Sequence, residues 1–122
     1  MATLSTHALN GADGKHAGGI GVSLNCVHSD GTRETLFDAT TDSGGRLSRN
    51  IEPLSIDTSA TYELVFSTRA YWSSRDHDSQ PLVADQIAIR LVMRDPNARY
   101  HVPLILSPHS WSLWVSQPET DR

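Results

Sequence analysis

The chain has 122 residues, 38% of them hydrophobic and 20% charged, and a formal net charge of −4. That is room for one domain, 1–122, with a core that needs no staples, and the composition is that of a folded globular chain. The acidic balance and the lack of a basic cluster exclude nucleic acid or an anionic membrane surface as the expected partner, and no apolar run approaches the ~20 residues of a bilayer span.

The first segment, "TLSTHAL", sets Leu4, Thr6 and Ala8 against Ser5, His7 and Leu9, the period of a β-strand. "GIGVSLNCV" repeats the pattern with Ile20, Val22, Leu24 and Cys26 on one face, and "RETLFDAT" and "TYELVFST" follow, short and rich in β-formers. A longer polar connection, "STRAYWSSRDHDSQP", leaves space for one short helix before Pro81. "QIAIRLVM", "RYHVPLIL" and "SWSLWVS" complete the series, with turn signals in "NGADGKHAGG", "HSDG", "TDSGG", "DPNA" and "SPHS". Runs repeating every ten to fifteen residues or so predict an all-β antiparallel sandwich. Pro103 lies inside one run; it cannot donate to a ladder, so an edge strand or a bulge is expected there. Cys26 is the single cysteine, and its apolar run predicts a buried thiol in a reducing compartment. "MATLSTHAL" lacks a charged-then-apolar leader pattern and "ETDR" is no peroxisomal signal, so a cytoplasmic location is expected.

Six histidines are available for chemistry. His16, His28 and His77 stand in polar, turn-like stretches and read as solvated surface, and His109 sits at the turn before the last strand, at the mouth of any site there. His7 and His101 differ. Each lies within an alternating strand, His7 with Ser5 and Leu9, His101 with Pro103 and Ile105, on the face opposite the apolar one. Two outer-face histidines on one sheet can share base and acid work near neutral pH. Arg46, after the glycines of "TDSGGRL", enters a strand where it would keep neighbouring imidazoles neutral and hold an oxyanion. The sequence has no G-x-S-x-G elbow, P-loop or dinucleotide fingerprint, and no H-E-x-x-H or paired C-x-x-C, so neither a metal site nor a cofactor is expected. Asp76 and Asp78 in "DHD" read as a solvated acidic loop.

Three pieces in order, "LSTHAL", "TDSGGRL" and "ARYHVPLILSP", with "TYELVFSTRAYW" between them, resemble the transthyretin-like 5-hydroxyisourate hydrolases from about Leu4 to Val115. The resemblance implies a transthyretin-like two-sheet sandwich of eight strands with a short helix after the fifth. It also implies a homotetramer whose paired dimers enclose a central channel. His7, Arg46 and His101 match the family's catalytic histidine, arginine and second histidine, a set the hormone-carrier branch lacks. Pro103, Ile105, Ser112 and Trp114 would line the channel and meet the substrate. The ending departs from the family: where its hydrolases finish Y-R-G-S, this chain reads Trp114, Val115, Ser116, Gln117 and then "PETDR". A hydroxyl and an arginine charge are lost, an indole is gained, and the extra tail is expected to crowd or cap the channel mouth.

The leading expectation is therefore a cofactor-free hydrolase that opens the N1–C6 bond of 5-hydroxyisourate. The altered ending motivates a second reading, in which the same three residues act on another cyclic amide, imide or lactone, or on a proton-transfer cyclisation. A third is a non-catalytic protein binding a flat ligand against Trp114; retention of both histidines and Arg46 counts against it.

Overall fold

Alternation decides which side of each strand faces the core, and the burial of β1 (Ala2–Asn10) follows it without a break: Ala2, Leu4, Thr6, Ala8 and Asn10 are buried, the residues between them half-buried. The structure, a computed structural model, describes residues 1–75 and 82–120; Asp76, His77, Asp78 and Pro81 lie outside the described residues. Besides β1 the strands are β2 (Gly21–Val27), β3 (Arg33–Thr40), β4 (Arg46–Ile51), β5 (Thr61–Ser67), β6 (Gln86–Leu91), β7 (Arg99–Leu106) and β8 (Trp111–Leu113). They form two four-stranded sheets, ordered β4-β1-β7-β8 and β3-β2-β5-β6. The inner faces interleave in one cluster that includes the fully buried Val22, Leu24, Leu64, Phe66, Val102 and Leu104. Each such side chain contributes about 1.5–3 kcal/mol, so the sandwich follows from the apolar positions of the pattern.

A short helix, α1 (Arg69–Ser73), follows β5 as expected and buries Tyr71 and Trp72. The buried Asn10 ties it to the end of β1: its amide donates to Tyr71 Oη at 2.9 Å while its carbonyl oxygen accepts from Ala12 N at 2.8 Å.

Two details refine the expected antiparallel sandwich. β1 and β7 pair in parallel, while every other pairing between strands is antiparallel. Period-two alternation looks the same in either orientation, and the second sheet, built between β1 and β7 in the chain, serves as the long crossover a parallel pair requires. The edge strand expected for Pro103 from its missing N–H is not what forms: β7 runs between β1 and β8. The register explains how the sheet accommodates it. Trp114 N donates to Pro103 O at 3.2 Å, and the return bond, from residue 103 to the Trp114 carbonyl, is the one that proline cannot make. The ladder ends there. β8 stops at Leu113 instead of running through the whole of "SWSLWVS", although the chain beyond it still follows β7.

Candidate active site

The outer face of the β4-β1-β7-β8 sheet carries the predicted residues in two rows. His7 is paired with Arg46 on one side and Pro103 on the other, and Trp114 lies beyond Pro103. One step along, Ser5 stands between Ser48 and His101, with Ser116 beyond His101. The sheet thus brings His7, Arg46, His101, Pro103 and Trp114 onto adjoining positions. Ser112, opposite Ile105 on β7, extends the same face by a third row. His109 is exposed at the tip of the β7–β8 turn, where Ser107 N donates to Ser110 O.

Arg46 owes its place to the turn before it. Asp42 Oδ1 accepts from Gly44 N and Arg46 N, each at 2.9 Å. Gly45 has φ +76°, and a Cβ there would overlap the Ala8 carbonyl oxygen; only glycine suits both the left-handed backbone and the close approach. Ala8 N donates to Gly45 O at 2.7 Å, which fixes the start of β4 against β1 and sets Arg46 opposite His7.

His7 Nε2 lies 3.0 Å from Gly44 O. A carbonyl only accepts, so the hydrogen-bond network places the His7 proton on Nε2 and leaves Nδ1 bare. Burial pushes the His7 pKa below its ordinary 6.5 and repulsion from the Arg46 guanidinium adds to this; the Gly44 carbonyl opposes the shift, and smaller repulsions from His16 and His101 add to it. His7 is therefore held neutral at neutral pH, ready to accept a proton. His101 is fixed differently: its Nδ1 is 2.8 Å from Ser5 Oγ, its backbone N–H donates to Ser116 Oγ at 2.8 Å, and its carbonyl accepts from Ser116 N at 2.9 Å.

Three contributors were given no role in the sequence reading. His16, read as a solvated loop histidine, is exposed but its Nδ1 is 3.0 Å from His7 Nε2; the only clue in the sequence is the Asn10–Gly11 turn signal that folds the chain back. Ser5 shares the alternation face of His7 and was legible there. Alternation sets Ser116 on the face of Trp114, but its bond to His101 could not be read, because it depends on how the chain runs after Pro103. As far as residue 120 the tail runs along β7, where Arg99 and Glu119 exchange backbone hydrogen bonds of 2.7 and 2.9 Å. Trp114 is 59% exposed and Ile105 47%. A separate cavity of about 580 Å³, lined by Cys26, His28, Arg49 and Tyr62 among others, holds none of the predicted site residues. Among the described residues no group of three or more His, Cys, Asp or Glu side chains is placed to hold a metal ion, and no helix is long and apolar enough to cross a membrane.

A 5-hydroxyisourate hydrolase from Deinococcus radiodurans is 34% identical over 111 residues, covering 91% of this chain and 92% of that one. Among solved structures, Klebsiella pneumoniae 5-hydroxyisourate hydrolase superposes with a TM-score of 0.73 at 28% identity, over 94% of this chain and 99% of that chain. Transthyretin from Sparus aurata reaches a TM-score of 0.79 at 21% identity, over 93% and 95% of the two chains, a likeness of fold. The sequence profile of the HIUase/Transthyretin family matches residues 4–115, and the chain belongs to that family.

Proposed function

We propose that this protein is a 5-hydroxyisourate hydrolase acting without a cofactor, and that His7, Arg46 and His101 are its catalytic residues. The observation that carries the reading is the row on one sheet face: a neutral imidazole with a bare Nδ1, paired across the strand with an arginine and diagonally with a second imidazole. Relatives at 30–34% identity that carry this activity in their names support the substrate.

His7 Nδ1 takes a proton from water as the water oxygen adds to the C6 carbonyl of the strained ring amide. The Arg46 guanidinium steadies the negative charge that develops on the carbonyl oxygen. The N1–C6 bond then breaks, N1 takes up a proton, and C6 becomes a carboxylate, giving 2-oxo-4-hydroxy-4-carboxy-5-ureidoimidazoline. Protonated His7 returns its proton to the leaving nitrogen, the second water proton leaves as the new acid ionises, and His101, clamped by Ser5 and Ser116, holds the ring beside it. Pro103, Ile105, Ser112 and Trp114 form the wall that meets the ring. In this reading the single domain assembles as a homotetramer in the cytoplasm. The exposed Ile105, Trp111, Trp114 and Val115 along β7 and the final segment are the apolar surface that a second copy would cover. Sedimentation at micromolar concentration should give four times the 13.4 kDa chain mass.

One observation favours a second reading. The family resemblance sets Trp114 and Val115 where its hydrolases end in tyrosine and arginine, and Trp114 is 59% exposed, so the wall offers an indole where a polar ring would want a hydroxyl and a cation; another cyclic amide or lactone would fit. A test separates the two. 5-Hydroxyisourate generated in place with urate oxidase should decay faster with the protein than alone, followed by ultraviolet absorbance. Decay at the spontaneous rate rejects the substrate.

A further inference from the structure

We propose that His16 is a positioning residue for His7, the two imidazoles forming one proton-sharing pair at the end of β1. The inference rests on the hydrolase reading for its consequence in turnover, and on geometry alone for the pair.

The return segment after β1 builds the contact. Gly14 N donates to Asn10 O at 2.9 Å, Asn10 N to Lys15 O at 2.8 Å, and Ala17 N to Ala8 O at 2.9 Å. Leu9 and His16 form an isolated antiparallel bridge. His16 therefore stands beside β1 where β4 does not reach, since β4 starts at Arg46 opposite His7. That puts it on the same outer face, diagonal to His7. The ring centroids are 5.1 Å apart with planes 22° from parallel, while the nitrogens are 3.0 Å apart. Such a long centroid separation at so short an atomic contact means the rings meet edge to edge, close to one plane, and not face on face.

The proton inventory follows. Gly44 O requires the hydrogen on His7 Nε2, and His16 Nδ1 lies at the same 3.0 Å from that nitrogen. One N–H is shared between two acceptors, so His16 presents a lone pair at Nδ1 and carries its own proton on Nε2. When His7 takes a proton from water at Nδ1, its Nε2–H becomes a stronger donor to the Gly44 carbonyl and to the His16 lone pair; it is a charged His16 that opposes the step, the repulsion that lowers the His7 pKa. A second proton, on His16 Nδ1, would set two N–H groups against each other. Two N–H groups cannot both point into that 3.0 Å gap, so protonation of one ring bears on protonation of the other. The charged and titratable groups on the surrounding elements are Arg46 from β4, His101 from β7, Asp42 in the turn before β4, and Asp13 and Lys15 in the return segment. Asp42 Oδ1 is engaged by two backbone N–H groups and Asp13 Oδ1 by Lys15 N. Both carboxylates are occupied by backbone donors, and the charges that act on His7 are Arg46, His16 and His101.

The experiment is a histidine nitrogen NMR titration of the resting protein, run beside the pH dependence of 5-hydroxyisourate turnover. Wild type would be compared with His16→Phe, which keeps a flat ring, and His16→Gln, which restores an acceptor. We expect His7 of wild type to be in the Nε2–H tautomer and to titrate in two steps, and His7 of His16→Phe to titrate in one. His16→Phe should lower kcat roughly tenfold with KM little changed, and His16→Gln should recover most of kcat while still titrating in one step. A one-step His7 curve shared by wild type and His16→Phe overturns the pair. A two-step wild-type curve with kcat and acid limb unchanged in His16→Phe overturns the positioning role. Should wild type fail to turn over 5-hydroxyisourate, the hydrolase reading falls, while the NMR arm still decides the pair.

Discussion

The two sheets present opposite kinds of outer face. On the β3-β2-β5-β6 sheet the polar groups close on one another. Glu63 of β5 is gripped by Arg33 Nε and Nη2 at 3.1 and 3.2 Å and approached by Arg90 Nε at 3.5 Å, and hydrogen bonding to Arg33 holds its carboxyl below the usual range. On the β4-β1-β7-β8 sheet the charges that act on His7 are Arg46, His16 and His101, all of which repel a proton there. A closed ion-pair face has its donors and acceptors spent. A face of imidazoles and an arginine keeps a bare nitrogen and a cation available to a ligand.

The largest consequence concerns turnover. His7→Ala should lower kcat/KM by about 10²–10⁴ with little change in Tm, measured by ultraviolet decay of 5-hydroxyisourate and by thermal melting. Gly45→Ala should cost about 1–3 kcal/mol from its left-handed backbone alone and more from the overlap with Ala8, and it should lose most activity, since the turn sets both Gly44 O and Arg46. Denaturant unfolding and turnover read the two effects. Glu63→Gln, on the other face, should cost about 1 kcal/mol, because its arginine partners are about half exposed, and should leave kcat/KM unchanged. Trp114→Tyr should restore a hydroxyl to the wall and lower KM by a few-fold, about what one recovered hydrogen bond supplies.

Acid should separate the faces in the melting curve. A histidine whose folded pKa is depressed binds fewer protons folded than unfolded, so its stability contribution is intact above 6.5 and falls as pH drops below it. Glu63, depressed from 4.5, contributes above that value and is lost as pH falls further. Tm should therefore decline first below pH 6.5, an early loss that His7→Gln flattens. The later decline below 4.5 should be flattened by Glu63→Gln.

Much of this was legible in the sequence because alternation is a property of single strands. The facing of His7 and His101 away from Leu4, Ala8, Val102 and Leu104 needed only the period of two, and the glycines of "TDSGGRL" announced the turn that delivers Arg46. What alternation cannot carry is contact between segments. His16 and His7 meet only because residues 10–17 fold back along β1, and that return is set by backbone bonds to Asn10 and Ala8. The parallel pairing of β1 with β7 has the same cause. Ser116 reaches His101 only because the chain keeps following β7 after Pro103 has ended the ladder, a consequence of one missing N–H in a neighbouring strand.

The most direct measurement sets one residue of each face against the other in the same assay: decay of 5-hydroxyisourate with wild type, His101→Ala and Glu63→Gln, each first shown to be folded by its melting curve. The account predicts rapid decay with wild type and Glu63→Gln, and decay near the spontaneous rate with His101→Ala. Equal rates for wild type and His101→Ala would contradict it, and would remove the imidazole face from the chemistry.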